Sequence, residues 1–390
     1  MRILHSSIIA LSAAAFGLAS CADGMMMSSS KSAGGADPLK GMSMQQRAAA
    51  MAPITTGTEA SVHMVPNIPE AAEAYYGKDS KHLIAQTRDP DAKKTSMGTP
   101  GALTYVFLDD GSKFWRVNDH GQDACSYIFP DGKHVVFTST RDHMDMDVGN
   151  WSDQNAYPQG SELYIADIDG KNLKRLTNNN NYEAEVSVSH DGKKIVFGRQ
   201  INGKMDLWIM NADGTGERRL TNTPDWQEGA PFFMPGDDRI MFRAWRNSEY
   251  GKVKPTPMTV FTIKTDGTDW RRYTYDGDMN WAPFPAPDGR HYIFVRITDK
   301  AKNDWDVYLG DLAGTPPRRL TFNEGFDGLP AISPDGKKIV FARSTGKGFM
   351  QGLKTFIMDA SALKIGTKNE FNPNWGLPMQ DDPKPTASAQ

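Results

Sequence analysis

Cysteine is scarce in this 390-residue chain, which contains only Cys21 and Cys125. If Cys21 is lipid-modified, as argued below, Cys125 is the single remaining thiol and an internal disulfide is excluded. Cys125 stands among apolar positions of the sequence. We therefore expect it to be a small buried hydrophobic residue rather than a reactive nucleophile.

An excess of charge of one sign is also missing. The 44 basic and 47 acidic residues give a formal net charge of −3, and no basic stripe occurs along the chain. Proteins that bind phosphate backbones need clustered lysine and arginine. We therefore expect no nucleic acid among the partners of this protein.

Motifs of the common hydrolase and metal-enzyme classes are absent as well. The sequence has no Gly-x-Ser-x-Gly elbow, no His-Glu-x-x-His motif and no Cys-x-x-Cys pair. The histidines are scattered, and His134, His190 and His291 stand in or beside a repeated turn, where a structural role is expected. We assign no catalytic residue from the sequence.

Long apolar runs are lacking except at residues 8–18, which follow the positively charged Arg2. This run is too short to span a bilayer as an uncleaved helix. It leads into the sequence Leu-Ala-Ser-Cys ending at Cys21, which resembles a bacterial lipobox. We therefore predict a lipoprotein signal peptide over residues 1–20 and membrane attachment through lipid on Cys21 alone. Because Ala22 rather than aspartate follows, the resemblance implies an outer-membrane lipoprotein facing the periplasm or the cell surface.

Residues 21–59 are rich in methionine, serine, glycine and alanine and show no hydrophobic period. Such a composition does not build a core, so we predict a flexible, disordered tether. An alternative is a copper(I)-binding segment, since thioethers ligate this soft ion. The methionines concerned are Met25, Met26, Met27, Met42, Met44 and Met51. At the other end, we predict a disordered tail over residues 377–390.

What the chain does contain is a repeated nine-residue sequence, Ser-Pro-Asp-Gly-Lys-Lys-Ile-Val-Phe at residues 333–341. Proline fixes φ at the first corner of a turn, aspartate bonds to its own backbone, and glycine supplies the positive φ that closes a hairpin. Close or looser copies occupy residues 129–137, 189–197, 234–242 and 286–294. With 36 glycines and 24 prolines, this repeat indicates a turn-rich all-β protein.

A second sequence follows each turn: an aromatic strand, a glycine turn and an edge of the type Arg-Arg-Leu-Thr. Each unit thus contains four short strands, and the units begin near residues 70, 123, 183, 226, 280 and 326. Four-stranded units in series are typical of a β-propeller, whose closed ring leaves no long sheet edge unpaired. We predict an all-β fold, a monomeric six-bladed propeller of four-stranded blades over residues 60–376.

The combination of Pro-Asp-Gly-Lys-Lys-Ile-Val-Phe, Asp-Leu-Trp-Ile-Met-Asn-Ala-Asp-Gly and Arg-Arg-Leu-Thr resembles the TolB-type, WD-repeat-like β-propeller family. The likeness covers roughly residues 70–376. It implies the fold but not a particular activity. TolB itself carries an α/β domain ahead of its propeller and no lipid anchor, whereas only the predicted tether precedes the propeller here.

In a propeller, the loops that enter the inner strands and follow the second strands open on one face, around the channel mouth. Matching positions of the units carry aromatic, acidic or amide residues, which suit a mouth for a ligand or peptide. The candidates are Asp123, Glu185, Trp226, Glu228, Trp281 and Asp327. The alternative is structural: the rings fill gaps between blades, and the acids accept bonds from nearby backbone amides.

Arginine recurs at the end of the second strand of the units. The candidates are Arg199, Arg243, Arg296 and Arg343. A ring of guanidinium groups would bind a carboxylate or an acidic chain terminus. The alternative is a set of ion pairs that positions the blades at little net energy.

The longest insertion, residues 141–153, contains four aspartates that would supply oxygen ligands to Ca²⁺. They are Asp142, Asp145, Asp147 and Asp153. Their spacing does not match an EF-hand, so a solvated loop is the alternative. The sequence offers a candidate for no other cofactor in the predicted propeller.

These features favour a non-catalytic envelope lipoprotein whose propeller binds an envelope protein or an extended peptide through its channel-mouth face. The alternative is a propeller enzyme, a metal-dependent lyase or hydrolase acting on an anionic saccharide or peptide. The two hypotheses differ in the metal content that they require. They also differ in what substitutions at Glu185 and Glu228 should change.

Overall fold

A computed structural model describes residues 37–96, 98–346, 350–368 and 371–379 of the chain. The predicted signal peptide and the predicted lipid anchor Cys21 lie outside these ranges. The described residues form six antiparallel sheets of at least four strands each, which confirms the all-β, six-bladed propeller. No helix within these ranges has both the length and the apolar character needed to cross a bilayer.

The four strands of each blade are described in order, from the innermost strand next to the central axis to the outermost strand. The innermost strands of blades one to six are β2 Ala71–Tyr76, β6 Asp123–Ile128, β10 Tyr182–Val188, β14 Trp226–Phe233, β18 Trp281–Pro285 and β22 Asp327–Ile332. The second strands are β3 His82–Arg88, β7 His134–Ser139, β11 Lys194–Ile201, β15 Arg239–Arg246, β19 His291–Asp299 and β23 Lys338–Ser344. The third strands are β4 Ala102–Leu108, β8 Glu162–Asp167, β12 Lys204–Asn211, β16 Thr259–Lys264, β20 Asp304–Asp311 and β24 Leu353–Asp359. The outermost strands are β5 Phe114–Arg116, β9 Lys174–Arg175, β13 Arg218–Arg219, β17 Arg271–Arg272, β21 Arg318–Arg319 and, in blade six, β1 Val62–Met64.

Blade six is completed by the strand that precedes blade one in the sequence. β1 pairs antiparallel with β24, with Val62 opposite Met358 and Met64 opposite Phe356. The innermost strands also contact one another around the whole ring, including β2 against β22. The two ends of the propeller are therefore joined by a hydrogen-bonded ladder and by direct packing.

The repeated turn has the geometry that its residues predict. Asp131 Oδ1 accepts hydrogen bonds from the backbone amides of Lys133 at 2.8 Å and His134 at 3.1 Å. Gly132 has φ +67°, and in the degraded copy Asp237 takes the same left-handed region at φ +61°. His134 Nδ1 lies 2.6 Å from Asp131 Oδ2, so this histidine is a partner of the turn aspartate.

The threonine of the Arg-Leu-Thr edge has one repeated role. Its Oγ1 accepts a hydrogen bond from a backbone amide in the third strand of its blade. The donor–acceptor pairs are Leu163–Thr177 at 3.0 Å, Leu207–Thr221 at 2.9 Å, Val260–Thr274 at 3.0 Å and Val307–Thr321 at 3.0 Å. A buried amide without a partner is costly. The need to satisfy this amide explains why threonine recurs in four of the blades.

The hydrophobic core lies between neighbouring sheets. The apolar run of the second strand supplies much of it, and Val135, Val136, Phe137, Ile339 and Val340 have no exposed surface. Successive side chains of a strand point to opposite faces of its sheet. Each continuous apolar run therefore packs against both adjacent blades, as expected for a sheet that is covered on both faces.

The prediction of a flexible tether as far as residue 59 is wrong from residue 37 onward. Helix α1, Met44–Ala50, begins with a capping box, and Leu39 and Met51 beside it pack against Tyr275. Farther along, Ile54 forms a parallel bridge to the outer edge of blade five. Residues 37–54, which we call the strap, include too few apolar residues to build a core of their own. They bury the apolar residues that they have against the surface of the propeller.

The predicted disordered tail is likewise wrong at its start. β25, Leu377–Pro378, pairs antiparallel with β17 and gives blade four a fifth strand. Met379 packs against the core of the same blade. Residues 380–390 of the predicted tail lie outside the described ranges.

Candidate ligand-binding site in the axial cavity

The innermost strand of every blade contains a β-bulge at an equivalent place. At each bulge the register with the second strand shifts, and one non-glycine residue has a positive φ. These residues are Glu73 (+54°), Cys125 (+38°), Glu185 (+56°), Ala230 (+49°), Ala282 (+50°) and Leu329 (+53°). A bulge re-aims a side chain that the alternation of the strand would place elsewhere. All six residues line one cavity between the innermost strands, which we call the axial cavity.

Four aromatic rings pack together beside the axial cavity, and two of them, Tyr75 and Phe232, line it. The four rings stand two residues after the bulge residue in blades one, two, four and five. The Tyr75 ring centroid lies 5.8 Å from that of Tyr127, 5.4 Å from that of Phe232 and 6.0 Å from that of Phe284. Phe232 and Phe284 are 4.8 Å apart. These contacts fill the axis with rings from four different blades.

The axial cavity has a volume of about 490 Å³, and blades five and six give it an apolar wall. Trp281 and Trp305 pack edge to face with ring centroids 6.0 Å apart. Met279 and Leu329 pack in the same cluster, which also includes Ala72 next to the bulge of blade one. We call this surface the tryptophan wall.

The opposite wall is built by blade three and two long loops. Tyr157 and Tyr182 stack with ring centroids 4.2 Å apart and an interplanar angle of 13°. The long loop of blade two is joined across this wall to strand β15 and to the long loop that follows it in blade four, because Gln154 Oε1 accepts a hydrogen bond from Trp245 Nε1 of β15 at 2.5 Å. Tyr250 of the second loop donates its hydroxyl to an aspartate of the first at 3.1 Å. The loops therefore hold aromatic rings at the cavity in a fixed arrangement.

Glu185 and Arg243 form an ion pair on the cavity wall. Arg243 Nη2 donates to Glu185 Oε1 at 2.5 Å, and the Ala230 amide donates to Oε2 at 2.8 Å. The Arg243 guanidinium also lies 5.5 Å from the centre of the Trp245 ring. Both oxygens of Glu185 are thus engaged, and the charges of the pair cancel.

Glu73 lies beside Cys125 at the next bulge. Cys125 Sγ donates to Glu73 Oε2 at 3.2 Å. With the Gln86 amide oriented so that both its ends are satisfied, its Nε2 donates to the same oxygen at 3.2 Å. Burial raises the pKa of Glu73, the Cys125 hydrogen bond lowers it, and the charge of Glu185 raises it again. Burial also raises the pKa of the Cys125 thiol, which therefore remains a protonated donor rather than a nucleophile.

The structure places four of the sequence-predicted mouth residues on the wall of the axial cavity: Asp123, Glu185, Trp281 and Arg243. Asp123 Oδ2 accepts from the Thr104 amide and hydroxyl, both at 2.8 Å, and Oδ1 accepts from Asn118 at 2.7 Å. Burial raises the pKa of Asp123 to about 6. Asp123 therefore supports the wall, since its oxygens are already occupied.

Three other predicted mouth residues lie away from the cavity: Trp226, Glu228 and Asp327. The Trp226 ring packs edge to face on Phe261 at 5.4 Å, inside blade four. Glu228 is fully buried and accepts a hydrogen bond from the Thr221 hydroxyl at 3.2 Å. Asp327 accepts two hydrogen bonds from Arg343, each 2.7 Å long. These residues precede the bulge, where the strand still alternates into the packed sheet.

The predicted ring of arginines around the channel is also wrong, except at Arg243. The other three make local ion pairs, which is the structural alternative. The carboxylate partners are Glu183 and Glu217 for Arg199, Asp276 and Asp278 for Arg296, and Asp327 and Glu59 for Arg343. Only about a tenth or less of each of these three side chains is exposed. Their charges are therefore compensated by carboxylates of the protein and are not available to a ligand.

The four loop aspartates do not converge on a calcium site. Asp142 Oδ2 accepts from Arg175 at 3.3 Å, and Asp153 accepts from a tyrosine of the neighbouring loop. Asp145 and Asp147 are exposed. Within the described part of the chain, no group of three or more His, Cys, Asp or Glu side chains is arranged to hold a metal ion.

The sequence analysis did not identify Glu73, although the sequence contains a marker for the residue of each blade that faces the cavity. In blades two to six, a buried carboxyl or amide residue stands two positions before the bulge residue. The pairs are Asp123–Cys125, Glu183–Glu185, Glu228–Ala230, Asn280–Ala282 and Asp327–Leu329. When the blades are aligned on the first member of each pair, the second member is the residue that faces the cavity. In blade one Ala71 replaces the polar residue, so this marker is missing ahead of Glu73.

No protein-family model matches this chain. An uncharacterised protein of Agrobacterium fabrum is 26% identical over 227 residues, which cover 57% of this chain and 63% of that protein. A protein TolB homologue of Chlorobium luteolum is 26% identical over 169 residues, 42% of this chain and 31% of that protein. The chain thus spans less than two thirds of the length of these curated relatives.

The structure described as putative TolB from Agrobacterium tumefaciens superposes with a TM-score of 0.53 at 19% sequence identity. The match covers 78% of this chain and 99% of that one. A likeness at this identity establishes the shared fold. The repeated turn, the Arg-Leu-Thr edges and the partial likeness to TolB homologues in sequence make the chain similar to TolB-type β-propeller repeat proteins.

Proposed function

We propose that this protein is a non-catalytic binding module whose axial cavity takes a short segment of a protein or peptide partner. The observation that carries the proposal is the cavity, about 490 Å³ in volume, with aromatic walls and polar groups at bulge positions. Mostly apolar cavities of this size with a few placed polar groups are typical ligand sites. Aromatic side chains such as Trp281 and Tyr182 offer large contact areas with few rotatable bonds.

The arrangement favours binding because it is formed before a ligand arrives. The bulge residues are held in place because their strand pairs with the second strand both before and after the bulge. The wall that contains Tyr157 and Tyr182 is held by the Gln154–Trp245 hydrogen bond. A preorganised site loses little conformational entropy when it binds. The cavity therefore fits recognition of an extended peptide better than it fits a partner that binds by remodelling the propeller.

The alternative, an enzyme acting on an anionic saccharide or peptide, finds little support in the charges of the cavity. The Glu185–Arg243 pair is neutral, and Glu73 adds a carboxyl group beside it. Such a surface repels an anionic substrate, because the charges face each other in a poorly screened cavity. The same charges are compatible with a neutral or cationic peptide segment.

The binding proposal is tested by selection from a displayed library of random peptides on the purified mature protein. We expect enrichment of peptides that share a short motif. Trp281→Ala should weaken binding of the enriched peptides by about tenfold or more, the usual effect of removing a central aromatic contact. Trp115→Ala is the matched control, because Trp115 lies on the outermost strand of blade one and should not affect binding.

Two results would contradict this proposal. One is a selection that enriches no common motif. The other is an equal loss of binding in the Trp281 and Trp115 variants, which would place the contact on the outer surface rather than in the cavity.

We further propose that the module is a monomer anchored in the outer membrane by lipid on Cys21, facing the periplasm or the cell surface. The lipobox-like sequence ending at Cys21 and the TolB-type relatives support this placement. Cys21→Ser should abolish incorporation of labelled fatty acid and release the protein from the membrane fraction. A Cys21→Ser variant that stays in the membrane fraction would refute the lipid anchor.

A further inference from the structure

We propose that the axial cavity recognises an alkylammonium group, which the Glu73 carboxylate binds beside the tryptophan wall. This inference rests on the proposed function, in which the cavity is the ligand site, and it adds the chemical class of the ligand. It follows from the charge balance of the cavity, from the accessible oxygen of Glu73 and from the aromatic lining.

Two carboxyl groups on the cavity wall, those of Asp123 and Glu73, have no ion-pair partner among the described residues. Arg243 is the cationic residue on the wall, and its Nη2 is bound to Glu185. Both oxygens of Asp123 are nevertheless occupied by hydrogen bonds from Thr104 and Asn118. Glu73 has only the neutral donors Cys125 and Gln86, and no described cation lies within ion-pair distance of it. A buried carboxylate of this kind is costly unless a positive charge joins it.

Glu73 is also the carboxyl group that remains open to a ligand. Its two neutral donors share Oε2, and no described residue donates to Oε1. The bulge, with φ +54° at this residue, turns the side chain into the axial cavity instead of the sheet. The structure therefore presents, inside the cavity, one carboxylate oxygen that accepts no hydrogen bond from a described residue.

The aromatic lining adds a second attraction for a cation. Trp281 and Trp305 form one side of the cavity, and Tyr157 and Tyr182 form another. The faces of such rings attract ammonium groups, and the attraction grows when the cation is taken out of water. An arrangement of several rings with one carboxylate suits a primary or methylated ammonium group better than it suits an anion or an uncharged polar group.

Two sources can provide this chemistry: a lysine side chain or free N-terminus of a peptide, and a small free amine. A test therefore uses both kinds of probe on the purified mature protein. The first probe is a capped pentapeptide with a central lysine, compared with the same peptide carrying acetyl-lysine. The second probe is n-butylammonium. Binding is followed by titration calorimetry and by the fluorescence of the cavity tryptophans.

We expect the lysine peptide to bind about tenfold or more tightly than its acetylated counterpart, as the loss of a desolvated cation contact implies. Glu73→Gln should remove this preference and leave the weak affinity for the acetylated peptide unchanged. Glu324→Gln is the matched control, since Glu324 is an exposed glutamate of the loop between blades five and six that does not line the axial cavity, and it should leave the preference intact. A single cooperative thermal unfolding transition in both variants shows that the fold is retained.

The outcomes separate this inference from the function on which it rests. Equal binding of the two peptides, or a preference that survives Glu73→Gln, would overturn the ammonium site but leave a peptide-binding module in place. Binding of n-butylammonium without binding of either peptide would support the ammonium site and identify a free amine as its source, against a peptide partner. No binding of any probe would overturn the inference.

Discussion

Glu73 makes the free protein sensitive to pH, because its partly buried carboxyl group forms no ion pair with a described residue. Burial and the nearby Glu185 raise its pKa, while the Cys125 thiol and Arg243 lower it by less. The folded chain therefore holds the proton more tightly than the unfolded chain does. The stability that this group contributes is complete below its unfolded-state pKa and is lost as pH rises through the raised folded-state pKa.

Glu73→Gln should remove this part of the pH dependence. We expect the free energy of unfolding of the variant, relative to that of the natural protein, to increase from mildly acidic to neutral pH. Urea unfolding at a series of pH values measures the difference, which cancels the contributions of other buried acids such as Asp123 and Asp327. A constant difference across the series would show that Glu73 is not the titrating group.

Arg243 has the opposite role, since it compensates a charge that the fold has already buried. Arg243→Met should lower the free energy of unfolding by about 3–5 kcal/mol, because it leaves the Glu185 carboxyl group without its counter-ion. Adding Glu185→Gln should recover most of the loss, as the buried charge is then removed. Urea denaturation of the two single variants and the double variant measures the coupling. A double variant no more stable than Arg243→Met alone would contradict this account.

For single residues, the sequence predicts which residue types form the site better than it predicts which positions form it. Acidic, aromatic and basic residues do line the cavity, and Glu185, Trp281 and Arg243 are among them. Glu228 and Asp327 stand two positions before the bulge and are buried in the sheet, whereas the bulge turns Ala230 and Leu329 toward the cavity. The strand propensities of the individual residues do not predict where the bulge occurs.

The repeated turn shows how the same glycine carries different constraints in different blades. A Cβ atom at Gly336 would stand 2.2 Å from Gly366 Cα, whereas a Cβ atom at Gly132 would meet nothing within 4 Å. The two glycines have φ values of +68° and +67°, so their backbone conformations are equivalent. The turn of blade six is thus packed under the segment after β24, while the turn of blade two is open.

Alanine at these two positions separates conformational strain from packing. Both variants should lose about 1 kcal/mol for a left-handed alanine. Gly336→Ala should lose a further 1–3 kcal/mol, roughly, because the backbone near Gly366 has to move. The midpoints of urea unfolding provide the comparison. Equal losses would mean that the segment around Gly366 yields without cost.

At the scale of elements, the turn and the edge sequences predict the fold because their residues are tied to local geometry. Pro-Asp-Gly fixes a turn, and the edge threonine satisfies an amide in the third strand, so both repeat wherever a blade repeats. The strap around α1 and the strand β25 carry no such signature. These two segments are ordered because they pack against the propeller, and a local sequence pattern does not predict such contacts.

Ring closure depends on a three-residue strand at the scale of the whole molecule. The Val65 amide donates to the Thr355 carbonyl at 2.9 Å, and the Asp359 amide donates to the Ser61 carbonyl at 2.9 Å. The alternation of an antiparallel ladder then directs the His63 amide to β24 as well. The His63 side chain itself is exposed.

His63→Pro should therefore weaken closure without disturbing the core. We expect a loss of about 1–3 kcal/mol, from one missing ladder hydrogen bond and the local backbone change, and faster amide exchange in β24. His63→Ala is the control and should leave both quantities unchanged. Proline tolerated as well as alanine would mean that packing of β2 against β22 alone keeps the ring shut.

The pairing of β1 with β24 also orders events during synthesis. β1 is translated before blade one, but its partner β24 is translated only after all the intervening blades. Until then the growing arc of blades has two open ends, and a polypeptide that stops before β24 cannot form the ladder that joins them. Synthesis of β24 is thus the step that turns a row of hairpin sheets into a closed ring.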